Sequence, residues 1–376
     1  MKPREFHIWN FPKNKIRVFF NSKTKEKFFH DCREKFGSLK NYSEFLGITY
    51  GSVIGWKIQN LAIPMWIIHK TKNKIGWDWN FIEMNIIAYK GIGHGNSIRN
   101  VKLPLKETPQ LFEIITHIIG DGCIDRKSGM LMYINKEKTL ITNFKNLVNF
   151  CFGNSYVYVN KKEGITQLIY PKVLADIIKH LYKIEFHSEI STLPENVFSL
   201  PREFSYSVIR SIIDDEGTIR DCAIVIQMKN KYLIDQIRKL LISIVGRQNI
   251  PDVKIRNGNM FEISITSKGL KSFKEKIKLI HPMKVNDLAY AIKKQKIRSR
   301  VCRYTHGYSK EAILKMIKEH SMTTKELAHK LFIQRSNTSI HLKQLESRNL
   351  VTRKESIYSF EWSITKKGIN FLYSKE

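Results

Sequence analysis

Cysteine is scarce and scattered: the five residues Cys32, Cys123, Cys151, Cys222 and Cys302 are odd in number and contain no CxxC pair. That excludes a disulfide framework and argues against a zinc site, and it fits thiols kept reduced inside a cell. No apolar run approaches the roughly 18–20 residues of a membrane span. The opening residues, MKPREFHIWNFPKNK, lack the apolar core of a signal peptide. Acid is the other shortage: 34 Asp and Glu stand against 64 Lys and Arg, a net charge of +30. A surface this positive repels itself, and a polyanionic partner resolves the repulsion. Nucleic acid is the first candidate and an anionic membrane surface the second. With 42% hydrophobic and 11% aromatic residues the chain is too apolar to be a disordered basic tail. The expectation is a cytoplasmic, nucleoid-associated protein.

What is present begins with length: 376 residues allow two or three domains, each able to bury a core. The charge is spread along them. Residues 1–98 carry 16 Lys/Arg against 7 Asp/Glu, residues 298–376 the same, and the remainder 32 against 20. Each third is basic, as if each touched the same polyanion. A Gly-, Pro- and Asn-rich stretch that starts at KGIGHG, residues 90–95, reads as a linker. The basic run at 293–310 reads as a second boundary. The expected division is therefore 1–98, 99–297 and 305–376.

The middle third repeats itself. Residues 111–124 read LFEIITHIIGDGCI and residues 206–219 read YSVIRSIIDDEGTI; Asp121 aligns with Glu216 at an offset of 95 residues. After each motif the pattern runs two strands, helix, two strands, helix, giving repeats at about 105–183 and 200–283. Lys172 follows Asp121 by 51 residues and Lys268 follows Glu216 by 52; Lys136 and Lys229 also hold matching places.

Each motif ends a helix in an acid, where the partial negative charge of a helix C-terminus favours a base instead. The glycine after each acid reads as an αL cap. If the two helices pack side by side, Asp121 and Glu216 meet at two negative helix ends, a place that calls for a divalent cation. Close packing also wants small residues four apart. The first helix supplies Thr116 and Gly120, the second Ser211 and Asp215.

THIIGDG and RSIIDDEG resemble the paired signature helices of the LAGLIDADG homing endonucleases, in their double-motif form, over roughly residues 100–297. The resemblance implies an α+β core of two pseudo-symmetric αββαββα halves in one monomeric chain. Asp121 and Glu216 would hold Mg²⁺ or Mn²⁺, with Gly120 and Asp215 flanking the metal. The sheets would form a saddle in the major groove of double-stranded DNA, and cleavage would leave short 3′ overhangs. Lys172 and Lys268 are the catalytic lysines on this reading, with Lys136 and Lys229 behind them, neutralising phosphate or assisting the water. Gln227, Lys229, Arg256, Asn257 and Glu262 are candidate base readers. Neither motif glycine nor acid is missing, but the termini lack the residues of a splicing element.

Helix-turn-helix patterns flank this core. In KFGSLKNYSEFLGITYGSVIGWKIQN a second helix starts at Thr49, with Tyr50, Ser52, Lys57 and Gln59 offered to DNA. At the other end two helices, SKEAILKMIKEH and TTKELAHKL, precede QRSNTSIHLKQLESRNL, whose apolar residues are Ile340, Leu342, Leu345 and Leu350. A hairpin-like wing and a last helix follow. This resembles the winged-helix domains of small regulators and puts Gln334, Arg335, Ser336, Asn337, Thr338, His341 and Lys343 on the DNA side. Two alternatives share these features: a DNA-binding regulator on a scaffold that no longer cleaves, and an intron RNA maturase.

Overall fold

A computed structural model describes the chain apart from residues 60, 94, 188, 221, 257, 302–307, 332, 334, 357–358 and 375–376. Asn257, Gln334 and much of the basic boundary run therefore lie outside the described residues. The chain divides into two compact units, Met1–Ile219 with Ile224–Asn286, and Arg220–Ala223 with Asp287–Glu376. Among the described residues no helix is long and apolar enough to cross a membrane.

In the first unit the repeat is plain. The first half runs helix Pro109–Ile119, strands Gly122–Ile124 and Leu131–Asn135, helix Lys138–Phe152, strands Tyr158–Lys162 and Ile165–Tyr170, helix Lys172–Tyr182. The second runs helix Arg202–Glu216, strands Thr218–Arg220 and Ala223–Met228, helix Lys231–Val245, strands Lys254–Arg256 and Met260–Ile265, helix Leu270–Lys276. In both four-stranded sheets the order is first, second, fourth, third. Period-two burial lays each sheet on its helices: Leu131, Tyr133, Leu168 and Tyr170 are buried in one, Ile224, Ile226, Ile263 and Ile265 in the other. Period-3.6 burial does the same for the helix Lys231–Val245 through Leu233, Ile234, Ile237, Leu240, Leu241 and Ile244. Asn230 starts that helix by accepting the Leu233 N–H at 3.1 Å. The final helix of the second half is shorter than its pattern suggests. It stops at Lys276, and Pro282 opens a further helix, Pro282–Val301.

Residues 1–98 belong to the same unit as this core. Their helices are joined by a sheet that the sequence pattern does not announce. The strand Ile16–Phe20 lies between Ile63–Pro64 and Ile86–Gly91. Ile98–Arg99, inside the expected linker, pairs with Ala88–Tyr89 on one side and with Asn154–Ser155 on the other. Glu5–Phe6 likewise pairs with Leu105–Lys106. Backbone hydrogen bonds thus cross the expected boundary. The helix pair Leu39–Leu46 and Tyr50–Ile58 is joined through Gly47 at φ 73°, ψ 37°. That left-handed turn is the one the Leu-Gly-Ile pattern implies.

The second unit carries helices Tyr308–Ile317, Thr324–Lys330 and Arg335–Glu346, then the antiparallel strands Val351–Ser356 and Ser359–Ile364 and the helix Lys366–Tyr373. Its own core holds Ile313, Leu314, Ile317, Leu327, Leu342, Leu345 and Trp362. Thr323 and Glu326 form a complete capping box. Ile340 is a correction to the core pattern: it is 53% exposed, because the face of its helix that packs inward runs through Thr338, Leu342 and Leu345.

Candidate acidic site at the paired helix ends

The helices Pro109–Ile119 and Arg202–Glu216 pack against each other at the centre of the first unit. Thr108 caps the first by accepting the Leu111 N–H, with Pro109 in the first turn. Small residues make the contact close. Thr116 and Ser211 are fully buried, and each turns its hydroxyl back onto its own helix, to Phe112 O at 2.7 Å and Ser207 O at 2.8 Å. Near its start the seam between them is apolar, with Phe112 and Phe204 edge to face at 5.2 Å. At the far end a Cβ on Gly120 would stand 2.9 Å from an Asp215 carboxylate oxygen.

The expected αL caps are corrected here. Gly217 has φ −70°, ψ 139°, and Gly122 is absent from the positive-φ residues. Space is what requires these glycines. A Cβ on Gly122 would lie 2.6 Å from Ile118 Cα, and one on Gly217 would lie 2.7 Å from Ile213 O. The chain folds back tightly over each helix end before entering its strand, which leaves the acid at the corner.

Three consecutive acids then divide their work. Asp214 is 1% exposed and accepts the backbone N–H groups of Ile280 and His281 at 3.0 Å each. Asp215 accepts the Tyr133 hydroxyl at 3.0 Å and lies 2.8 Å from His117 Nδ1. Glu216 has neither engagement among the described contacts and ends the helix.

A buried polar chain continues from Asp215. His117 Nε2 is 3.8 Å from Glu113 Oε1, and Glu113 is held by Arg210 and by the Asn143 amide at 3.0 Å. Burial alone would lower the His117 imidazole, but Asp215 and Glu113 override it and push it up to about 10. An imidazolium thus bridges two buried carboxylates across the helix pair. In the other direction Asn135 donates to Asp121 Oδ2 at 2.7 Å and stands 3.4 Å from the Tyr133 hydroxyl.

Asp121 sits in a cleft of about 360 Å³ lined also by Ile134, Asn135, Lys136, Ile165, Asp214, Asp215, His281 and Lys284. Burial first, then the Asp215 and Glu216 carboxylates, push Asp121 up to about 7, against the pull of Lys284 and His117. Glu216 is raised by burial and by Asp215, again opposed by Lys284. Lys284 is a residue that the sequence motifs do not point to. Its ammonium donates to Ile213 O, Asp214 O and Asp215 O at 2.9, 2.6 and 3.1 Å. It therefore caps the last turn of the second central helix, where a cation suits both the free carbonyls and the helix dipole. The available signal was Pro282, a helix start just past the second repeat.

The other expected site residues are placed as follows. Lys136 is exposed and lines the Asp121 cleft. Lys172 and Lys268 are exposed but not among its lining residues; the stem of Lys172 lies against the Gly129 turn. Lys229 is exposed just past its strand. Gln227 and Glu262 pair across neighbouring strands, and Glu262 holds the exposed Arg256 through Nε at 3.0 Å and Nη2 at 2.6 Å. Tyr50, Ser52, Lys57, Arg335, Ser336, Asn337 and Lys343 are exposed on their helices. Thr338 is not: it is fully buried inside its helix packing, so it cannot offer its side chain to DNA. Asp215 is corrected as a metal ligand, because both its carboxylate oxygens are committed to His117 and Tyr133 and its carbonyl to Lys284.

The remaining donor set, Asp121 and Glu216, fits a magnesium-like ion. Two hard carboxylates raised by burial and by neighbouring acids gain from a cation, and such ions commonly take one or two carboxylates and complete their shell with water and substrate phosphate. Among the described residues no group of three or more His, Cys, Asp or Glu forms a full protein cage.

Two αββαββα halves joined through helices that each end in a carboxylate define the class: the core has the LAGLIDADG fold, and a helix-turn-helix unit follows it. Parts of the chain are similar to known proteins. Residues 310–353 match the bacterial regulatory protein, arsR family. The chain is similar to an A-type ATP synthase polypeptide of Methanopyrus kandleri, at 25% identity over 173 residues, 46% of this chain and 16% of that one. It is also similar to the glutamine–fructose-6-phosphate aminotransferase of Methanocaldococcus jannaschii, at 33% over 147 residues, 38% of this chain and 13% of that one. The chain thus spans less than a fifth of the length of these curated relatives. Among solved structures it is similar to the homing endonuclease I-DmoI in complex with DNA and Mn, with TM-score 0.35 and 13% identity, covering 46% of this chain and 96% of that one. Full-length WhiA from Thermatoga maritima gives TM-score 0.36 and 15% identity, covering 64% and 90%.

Proposed function

We propose that this chain is a site-specific double-stranded DNA endonuclease of the LAGLIDADG type, with DNA-binding helices before the core and a winged-helix module after it. The observation that carries the reading is the presence of two carboxylates, Asp121 and Glu216, at the ends of the paired helices in an otherwise strongly basic chain.

When bound, a divalent ion on Asp121 and Glu216 would supply an activated water and neutralise charge on the phosphoryl group. The protein's own residues do the rest. Asn135 fixes the Asp121 carboxylate by donating to Oδ2. Lys136, in the same cleft, meets the scissile phosphate, with Lys229 serving the other half. Lys172 and Lys268, outside the cleft, contact flanking phosphates. On the second sheet Arg256, steadied by Glu262, reads base edges beside Gln227. On the flanking helices Tyr50, Ser52, Lys57, Arg335, Ser336, Asn337 and Lys343 extend the footprint. Phosphate contacts supply much of the affinity.

A DNA-binding regulator that does not cleave is the second reading, and the specific observation that favours it is Lys284, a resident cation beside the acids. The variants Asp121→Asn and Glu216→Gln separate the two. On the first reading the wild type cuts a bound duplex in Mg²⁺, and the variants bind it equally well without cutting. Intact DNA with the wild type supports the second.

A further inference from the structure

Lys284 lines the cleft with Asp121, Asp214 and Asp215; burial lowers its ammonium while these three acids and Glu216 pull it back up, and it donates to three carbonyls in the last turn of the second central helix. It reaches that place because Asp214 pins the backbone of Ile280 and His281, fixing where the helix from Pro282 begins. The geometry is therefore built: one acid of the motif positions the cation that balances the others. The first half's lysine in this cleft is Lys136, which is exposed.

We propose that Lys284 is the internal counter-ion of the acidic site and holds down the affinity of Asp121 and Glu216 for free divalent cation. Metal then binds well only when a DNA phosphate adds its own negative charge to the cleft. Lys284 is a positioning residue on this account: it acts on the metal through charge and touches neither water nor phosphate. The inference rests on the cleavage reading and deepens it by naming what sets its metal requirement.

The test is Mn²⁺ binding to the DNA-free, full-length protein, followed by electron paramagnetic resonance. Lys284→Gln removes the charge and keeps a donor for the carbonyls; Lys284→Arg keeps the charge. Removing a unit charge from the acidic cleft raises Mn²⁺ affinity by about tenfold or more in Lys284→Gln and leaves Lys284→Arg near the wild type. A merely structural cap would lower the melting temperature without tightening metal binding, so unchanged affinity in folded Lys284→Gln overturns the inference. Should Lys284→Gln fail to fold, the wild type decides. Its Mn²⁺ affinity, corrected by the Asp121→Asn/Glu216→Gln variant, is to rise by about tenfold or more on a bound duplex, where the phosphate charge joins the site. Equal affinities with and without DNA overturn the inference. Failure of the cleavage reading shows separately, as bound DNA left whole.

Discussion

Asp215 looks out of place in the sequence, an acid where a small residue should let two helices approach, and the structure gives it a partner four residues before Asp121. His117 is buried, fully charged by Asp215 and Glu113, and ties the two central helices together. Removing one member of such a buried ion pair costs about 3–5 kcal/mol, so His117→Ala should destabilise the protein by that order at pH 6. The imidazolium is held above its ordinary value in the folded state. Its contribution is therefore complete below pH ~6.5 and is lost as pH rises through about 10. Denaturant unfolding of wild type and variant between pH 6 and pH 10 checks this: the gap between them should narrow steadily with pH. At this scale the two acids were legible in the sequence because a repeat marked them. The buried network was not, because its members sit on four different elements and no spacing links them. Lys284 was hidden for the same reason, since its place depends on how Asp214 pins the chain 66 residues later.

The middle helices of the repeat, Lys138–Phe152 and Lys231–Val245, were legible to the residue, since their apolar positions recur at 3.6 and their ends carry polar caps. The short strands of the N-terminal sheet were not, because two-residue pairs such as Ile98–Arg99 carry no periodicity of their own and exist only by pairing with distant partners. Glycine roles were misread for a related reason. A sequence shows that a glycine follows a helix but not whether conformation or space demands it. The structure assigns Gly122 and Gly217 to space, with backbone atoms in the way of any Cβ. Gly122→Ala and Gly217→Ala should each cost about 1–3 kcal/mol or more, as overpacking against a fixed backbone does. Gly51→Ala is the contrasting case, within the helix Tyr50–Ile58 where an added Cβ meets nothing within 4 Å. It should stabilise by about 0.5–1 kcal/mol. Thermal melting of the three variants decides between conformation and space.

For the molecule as a whole, the net charge of +30 now has addresses. Basic side chains lie exposed on the two sheets, on the helix after Gly47 and on the Arg335–Glu346 helix, while Asp121, Asp214, Asp215 and Glu216 gather at the paired helix ends. Affinity for duplex DNA should fall steeply with salt, by about a thousandfold or more between 50 and 200 mM if six or more phosphates are neutralised. A chain shortened after residue 301 should keep the cooperative melting of the first unit, which has its own core, and show a shallower salt slope. Filter binding across a salt series measures both slopes. Whether Asp121 and Glu216 cut DNA is settled by one measurement. Duplexes bound by the wild type are selected from a random pool, then given Mg²⁺, and the products of each strand are mapped. The expected result is a break in both strands at one fixed position in the bound site, absent with Asp121→Asn/Glu216→Gln. Duplexes that stay bound and whole in Mg²⁺ and Mn²⁺ would contradict it.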